Sequence, residues 1–389
     1  MKMNELLETM KEATRLTQEG NAPAATDAIQ RTLQKSLEAT LAADATTLIQ
    51  PSPLSPRANG TAPGRFLPEL FTGLGIASSV DGSMPGVDAL SPQPQRKTEF
   101  DEAEGGQFLS ASHSNHAGTR DYKLYIPSRY HGQPLPLVVM LHGCTQDPDD
   151  FAAGTRMNAL AEETQCFIAY PEQTQSANAS RCWNWFNSED QQRGQGEPSI
   201  IAGITQDIIG NYNVDTRRVY IAGLSAGGAM AMIMGTTYPD LYAAVGIQSG
   251  LPYAAANDLP SALAAMQKGT PISAQPADTV TALAQIPVIV FHGDRDSTVH
   301  PSNGDQIIAQ AKANARASVL QAAVSDGHTY TRNVYRDGAG QAIAEQWIVH
   351  GAGHAWSGGS ADGSYTDGKG PDASREMMRF FSTNPKPAG

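Results

Sequence analysis

The sequence predicts an α/β domain with a mostly parallel central sheet and helices on both faces, preceded by a helical extension and a flexible linker. Three observations carry that prediction. From about residue 105, short apolar runs alternate with stretches of helical periodicity. Several of those runs are apolar throughout, as strands covered on both faces must be. One run also passes through a glycine-flanked turn directly into a helix.

The elements follow in chain order. Met3, Leu6, Leu7, Met10 and Ala13 fall at helical spacing before Gly20, and Ile29, Leu33, Leu37 and Leu41 repeat every fourth residue from Ala24 onward. Residues 1–45 are therefore expected to form a helical hairpin, a surface that could meet a polymer or a partner protein. Residues 46–104 read as a flexible linker. From Pro51 to Gln95 they are rich in Pro, Gly and Ser, with one apolar cluster at Phe66–Phe71.

Residues 105–389 then carry the large domain. Tyr122–Ile126 alternates like an early half-buried strand, and Leu137–Leu141 is a continuous apolar run. A helix at Met157–Thr164 precedes the strand Phe167–Tyr170. Val219–Ala222, a helix at Ala226–Thr237, and the strands Ala243–Ile247, Pro287–Phe291 and Gln346–Val349 complete the pattern. Arg336-Asp337-Gly338 marks a hairpin turn before the last strand.

Bulk properties exclude several classes. With 389 residues and a net charge of −12, the chain offers no basic footprint for a nucleic acid or an anionic membrane. No apolar stretch approaches the ~20 residues that span a bilayer. Met1–Glu8 lacks the uninterrupted apolar core of an export signal, so the default expectation is a cytoplasmic protein. Cys144, Cys166 and Cys182 are too few for a disulfide framework and lack metal-ligand spacing.

The chemistry centres on Gly223-Leu224-Ser225-Ala226-Gly227. The bare five-residue pattern is weak in a glycine-rich chain. Its setting strengthens it: an apolar strand runs in, and a helix of small residues runs out. In the α/β-hydrolase fold that strand–turn–helix presents a nucleophilic serine, because glycines two residues either side let strand and helix approach.

Such a serine needs a base and an orienting acid, in the chain order Ser, acid, His. The acid belongs in the loop His292-Gly293-Asp294-Arg295-Asp296, where Asp296 is favoured over Asp294. The base belongs after the last strand, at the glycine-flanked His354. His350 reads as a half-buried strand residue, and His292, His300 and His328 as ordinary loop histidines. Two backbone amides are needed for an oxyanion hole: that of Ala226, and that of Cys144 in the loop His142–Gln146. Cys144 as a rival nucleophile has no base in the right order.

Together, Leu141-His142-Gly143-Cys144-Thr145-Gln146, Ala169-Tyr170-Pro171-Glu172-Gln173, Cys182-Trp183-Asn184-Trp185-Phe186, the serine turn, His292–Asp296 and Gly353-His354-Ala355-Trp356 resemble the polyhydroxybutyrate depolymerase-type esterases. Feruloyl and acetyl-xylan esterases belong to the same family. The resemblance spans roughly residues 105–383. It implies hydrolysis of carboxylic esters through Ser225, His354 and Asp296, without metal or cofactor. The preferred substrate is a polyhydroxyalkanoate or its short oligomers, with feruloyl or acetyl-xylan esters as the alternative. Cys144 and Cys182 are similar to a pair that forms a disulfide beside the active site, and many relatives are exported. Trp356, Trp183 and Gln146 are the expected substrate contacts, whereas Trp185 reads as core.

Overall fold

In the computed structural model, residues 105–270, 286–311 and 316–387 are described. The expected hairpin of residues 1–45 and the whole linker of residues 46–104 lie outside them. The described residues build one large sheet whose strands change in character from edge to centre.

In chain order the elements are β1 (Gln107–Asn115), β2 (Gly118–Ile126), β3 (Leu135–Leu141), α1 (Pro148–Thr155), α2 (Met157–Thr164) and β4 (Phe167–Pro171). Then come α3 (Gly196–Asn211), β5 (Val214–Leu224), α4 (Ala226–Thr237), β6 (Ala244–Gln248), α5 (Leu259–Lys268), β7 (Val288–Gly293) and α6 (Ser302–Ala311). The C-terminal part supplies β8 (Arg316–Ala323), β9 (Thr329–Arg336), β10 (Ala342–Val349), the short β11 (Trp356–Ser357) and β12 (Thr366–Asp367), and α7 (Ala373–Ser382).

Ten strands lie in the order β1-β2-β4-β3-β5-β6-β7-β10-β9-β8. The six central strands, β4 through β10 in that order, run parallel, and antiparallel hairpins flank them on both sides. The β9–β10 hairpin turns where Arg336-Asp337-Gly338 predicts it.

The buried middles of β3, β4, β5, β6 and β7 are largely apolar because each serves two cores. Leu137, Val139 and Leu141 of β3 face one core with Ile221, Val245, Ile247 and Val290, under Ile204 and Ile208 of α3 and Met230 of α4. Val138 and Met140 face the other, with Tyr220, Ile289 and Phe291, against Phe151 of α1 and Met377 and Phe381 of α7. The two-residue period of a strand makes that division automatic. Tyr220 and Phe381 stack with ring centroids 4.8 Å apart.

Several elements go beyond the sequence expectation, among them β1, β8 and α3. β1 and β8 are edge strands with mostly exposed residues, so they carry no strong apolar alternation. β9, paired on both sides between β8 and β10, is polar and partly exposed. α3 is signalled by Ile200, Ile201, Ile204 and Ile208 at helical spacing, all buried. Among the described residues, no helix is long and apolar enough to cross a membrane.

Candidate active site

Parallel strands end at one edge of a sheet, and the loops beyond their C-terminal ends meet there. Ser225, Asp296 and His354 follow β5, β7 and β10 respectively, all at that edge.

Ser225 sits between strand and helix with φ 58° and ψ −118°, a conformation that L-residues rarely adopt. Two glycines permit it. A Cβ on Gly223 would run into the backbone of Gly227, and one on Gly227 into the carbonyls of Leu141 and His142. The Ser225 amide is held by the Gln248 carbonyl at 2.9 Å. Its Oγ has no hydrogen bond among the described residues.

The two acidic residues of the β7 loop face different histidines. Asp296 Oδ2 lies 2.8 Å from His354 Nδ1, with the Asp296 side chain fully buried and that of His354 11 % exposed. Asp294 instead pairs with His350 Nδ1 at 2.9 Å, and both of those side chains are more than one-third exposed. Asp294 also accepts from the Gly351 amide at 2.7 Å. The Asp294 and Arg295 amides bond the carbonyls of Val349 and Ala352. Asp294 therefore laces the two loops together, while Asp296 meets the imidazole of His354.

Burial alone would push the Asp296 carboxyl up. The neighbouring charge of His354 and hydrogen bonds from His292 and His354 outweigh it and hold the group well below the usual carboxylate range. An ionised carboxylate only accepts, so the hydrogen bond places a proton on His354 Nδ1 and leaves Nε2 as the nitrogen turned away from the acid.

The loop after β3 is fixed at nearly every amide. Gly143 N–H donates to Gln146 Oε1 at 2.9 Å, Thr145 N–H to the Ser180 carbonyl at 2.7 Å, and Gln146 N–H to the Gly143 carbonyl. Cys144 N–H alone in this run has no acceptor among the described residues, and neither does Ala226 N–H at the start of α4. Unpaired amides at a largely buried site are uncommon in native proteins unless a ligand uses them. The Cys144 side chain is tied down too, by a disulfide to Cys182.

His142 underpins this loop. Its Nδ1–H donates to the Gly143 carbonyl at 2.7 Å, and its Nε2 accepts from the Gln173 amide at 3.0 Å. Burial lowers its pKa to about 4, so the ring is neutral at physiological pH. Among the described residues, no group of three or more His, Cys, Asp or Glu side chains is arranged to hold a metal ion.

Residues 120–331 match the family described as esterase PHB depolymerase, more than half of the chain. The chain belongs to this family. Among curated relatives of this family member, it is 33% identical over 240 residues to poly(3-hydroxyalkanoate) depolymerase C of Paucimonas lemoignei, covering 59% of this chain and 57% of that one. It is 29% identical over 247 residues to a probable acetylxylan esterase A of Aspergillus fumigatus, covering 60% and 62%. The chain thus spans less than two thirds of the length of either relative. The fold is shared with an acetyl xylan esterase from Aspergillus awamori, with a TM-score of 0.57 and 19% identity over 72% of this chain and all of that one.

Within this family member the three expected substrate contacts are all placed in the interior. Trp183 is fully buried, and its indole N–H donates to the His142 carbonyl at 3.1 Å. Trp356 is equally buried; its N–H donates to Ser374 Oγ at 3.0 Å and its ring meets Phe151 edge-on. Both rings are spent on packing, as that of Trp185 is. Gln146 is buried as well, bonding Gly143, Asp150 Oδ2 and the Ser364 carbonyl, so it positions the loop instead of lining a cleft.

Sequence reasoning also missed two supports. Gln248 holds the Ser225 amide with its carbonyl and the Ser357 amide with its side chain. Glu197, buried in α3, accepts from the Asn184 amide at 2.7 Å and from Gln173 Nε2, which also bonds the Cys182 carbonyl. Neither lies in a recognisable pattern; only the fold brings them to the site.

Proposed function

We propose that this protein is a serine esterase that cleaves carboxylic esters through Ser225, His354 and Asp296. His354 Nε2 takes the Ser225 proton as Oγ attacks the ester carbonyl. The amides of Cys144 and Ala226 receive the developing oxyanion. Collapse expels the alcohol, which takes its proton from His354, and leaves an acyl-Ser225. Water, deprotonated by His354, then releases the acid. Asp296 holds the imidazole in the reactive tautomer throughout.

The single observation that best supports this reading is the buried Asp296–His354 hydrogen bond, at the same sheet edge as the strained Ser225 and two unpaired amides. The lack of a bond at Ser225 Oγ is compatible with it, since catalytic contacts commonly tighten only when substrate binds.

The proposed substrate is a poly(3-hydroxyalkanoate), above all poly(3-hydroxybutyrate) or its short oligomers. The support is the family and the depolymerase from Paucimonas lemoignei. Turnover of p-nitrophenyl butyrate, amorphous poly(3-hydroxybutyrate), methyl ferulate and acetylated xylan is the test. Wild type is expected to cleave the first two, and Ser225→Ala none of the four. Activity in the Ser225 variant would overturn the mechanism, and preference for ferulate or acetylxylan would overturn the substrate.

A further inference from the structure

Asp296 has a second histidine against it. His292, read from sequence as a loop residue, belongs to β7 and is 2 % exposed. Its Nε2 lies 2.8 Å from the Val299 carbonyl and 3.4 Å from Asp296 Oδ2. A carbonyl can only accept, so Nε2 carries a proton and donates it to Val299, with the Asp296 carboxylate oxygen standing beside that bond. Its Nδ1 is buried with no hydrogen-bond partner among the described residues. Helix α6 packs closely on that edge of the ring: a Cβ on Gly304 would stand 3.0 Å from Nδ1.

Among the described residues, three donors thus bond Asp296 and a fourth N–H, that of His292, stands beside it. The Thr298 and Val299 amides fix Oδ1 at 2.9 and 2.8 Å, while His354 bonds Oδ2. Val299 closes the brace, because its amide holds the acid and its carbonyl holds the histidine. Without His292, the N–H left at Oδ2 is that of the imidazole it must orient.

We infer that His292 is a positioning residue for the reaction: its Nε2–H keeps Asp296 Oδ2 turned toward His354. This rests on the Ser225–His354–Asp296 reading. It acts through the acid and does not touch the reacting atoms, so its removal alters kcat and leaves substrate binding alone.

The test compares His292→Phe, His292→Gln and His292→Asn in the full chain, by kcat and KM on p-nitrophenyl butyrate, with Asp296→Asn alongside. Phe fills the ring site but donates nothing; Gln reaches to the Nε2 position; Asn is too short. The expected result is a kcat about tenfold lower for Phe and Asn at unchanged KM, with Gln restoring most of it. Wild-type kcat in the Phe variant, or equal kcat in Gln and Asn, would overturn the inference; the second comparison decides even where Phe prevents folding. If Asp296→Asn keeps wild-type activity, the triad reading falls. If it loses activity while all His292 variants keep theirs, only the role of His292 falls.

Discussion

Opening the Cys144–Cys182 disulfide should weaken both the fold and the catalysis, by separable amounts. The bond closes a loop across a sequence separation of 38. Chain-entropy arguments assign such a closure about 4 kcal/mol against the unfolded state. For a unit of roughly 290 residues, Glu102–Gly389, the unfolding entropy near the midpoint is about 0.6 kcal/mol per degree, so Tm should fall by about 7 °C. The catalytic effect has a different origin. Cys144 supplies a proposed oxyanion amide, and Thr145 N–H to Ser180 remains as a backbone tether between the same two loops. The amide is loosened, not lost, so kcat should drop about tenfold, short of the 10²–10³ for losing a donor outright. The assay is thermal unfolding and p-nitrophenyl butyrate turnover, with and without reduction and alkylation, beside Cys182→Ser. Cys166 is the other cysteine, buried in the core, and gives a control. A full Tm loss with unchanged kcat would refute the link between disulfide and oxyanion loop. No change in either would refute the whole argument.

Three further outcomes follow from the geometry. Asp296→Asn should cost about 10³–10⁴ in kcat, because the wrong imidazole tautomer is favoured, whereas Asp294→Asn should cost less than about tenfold; kinetics of the two variants checks this. Gln146→Leu frees the Gly143 amide and should lower kcat about tenfold at unchanged KM, measured on the same ester. Glu197→Gln should change how stability varies with pH. Burial and the charge of Asp190 raise the Glu197 pKa from 4.5 to about 7, and Arg120 at 3.6 Å does not offset them. The folded state then binds more protons than the unfolded state between those values. Stability contributed by this group is full below pH 4.5 and declines as pH rises to about 7, by about 3 kcal/mol. Urea unfolding at pH 5 and pH 8 should show that loss in wild type relative to the Gln variant, and parallel curves would refute it.

What the sequence reveals here is what local pattern can encode. The strand–turn–helix at Ser225 is legible because glycine spacing and apolar runs are short-range features. Asp296 and His354 are legible as candidates because loops following parallel strands gather at one edge. Burial is harder to read. Trp356 lies two residues past His354 and looks poised for substrate, yet β11 turns it into the core beside Phe151. His292 looks like a loop residue because Gly293 follows it, yet β7 continues through both. Edge strands β1 and β8 escape notice because water, not a second core, faces much of them. Glu197 and Gln173 act across 24 residues of chain, a pairing that no local pattern announces.

Gly227 carries a wider consequence. A Cβ there would collide with the carbonyls of Leu141 and His142, so the serine turn and the His142–Gln146 loop meet main chain to main chain. On the proposed mechanism, the spacing between attacking oxygen and receiving amide is therefore set by peptide geometry and by the absence of one methyl group. Side chains elsewhere around the two loops can be exchanged without resetting that spacing. A redesign of specificity can leave this pair of backbones untouched and vary everything above it.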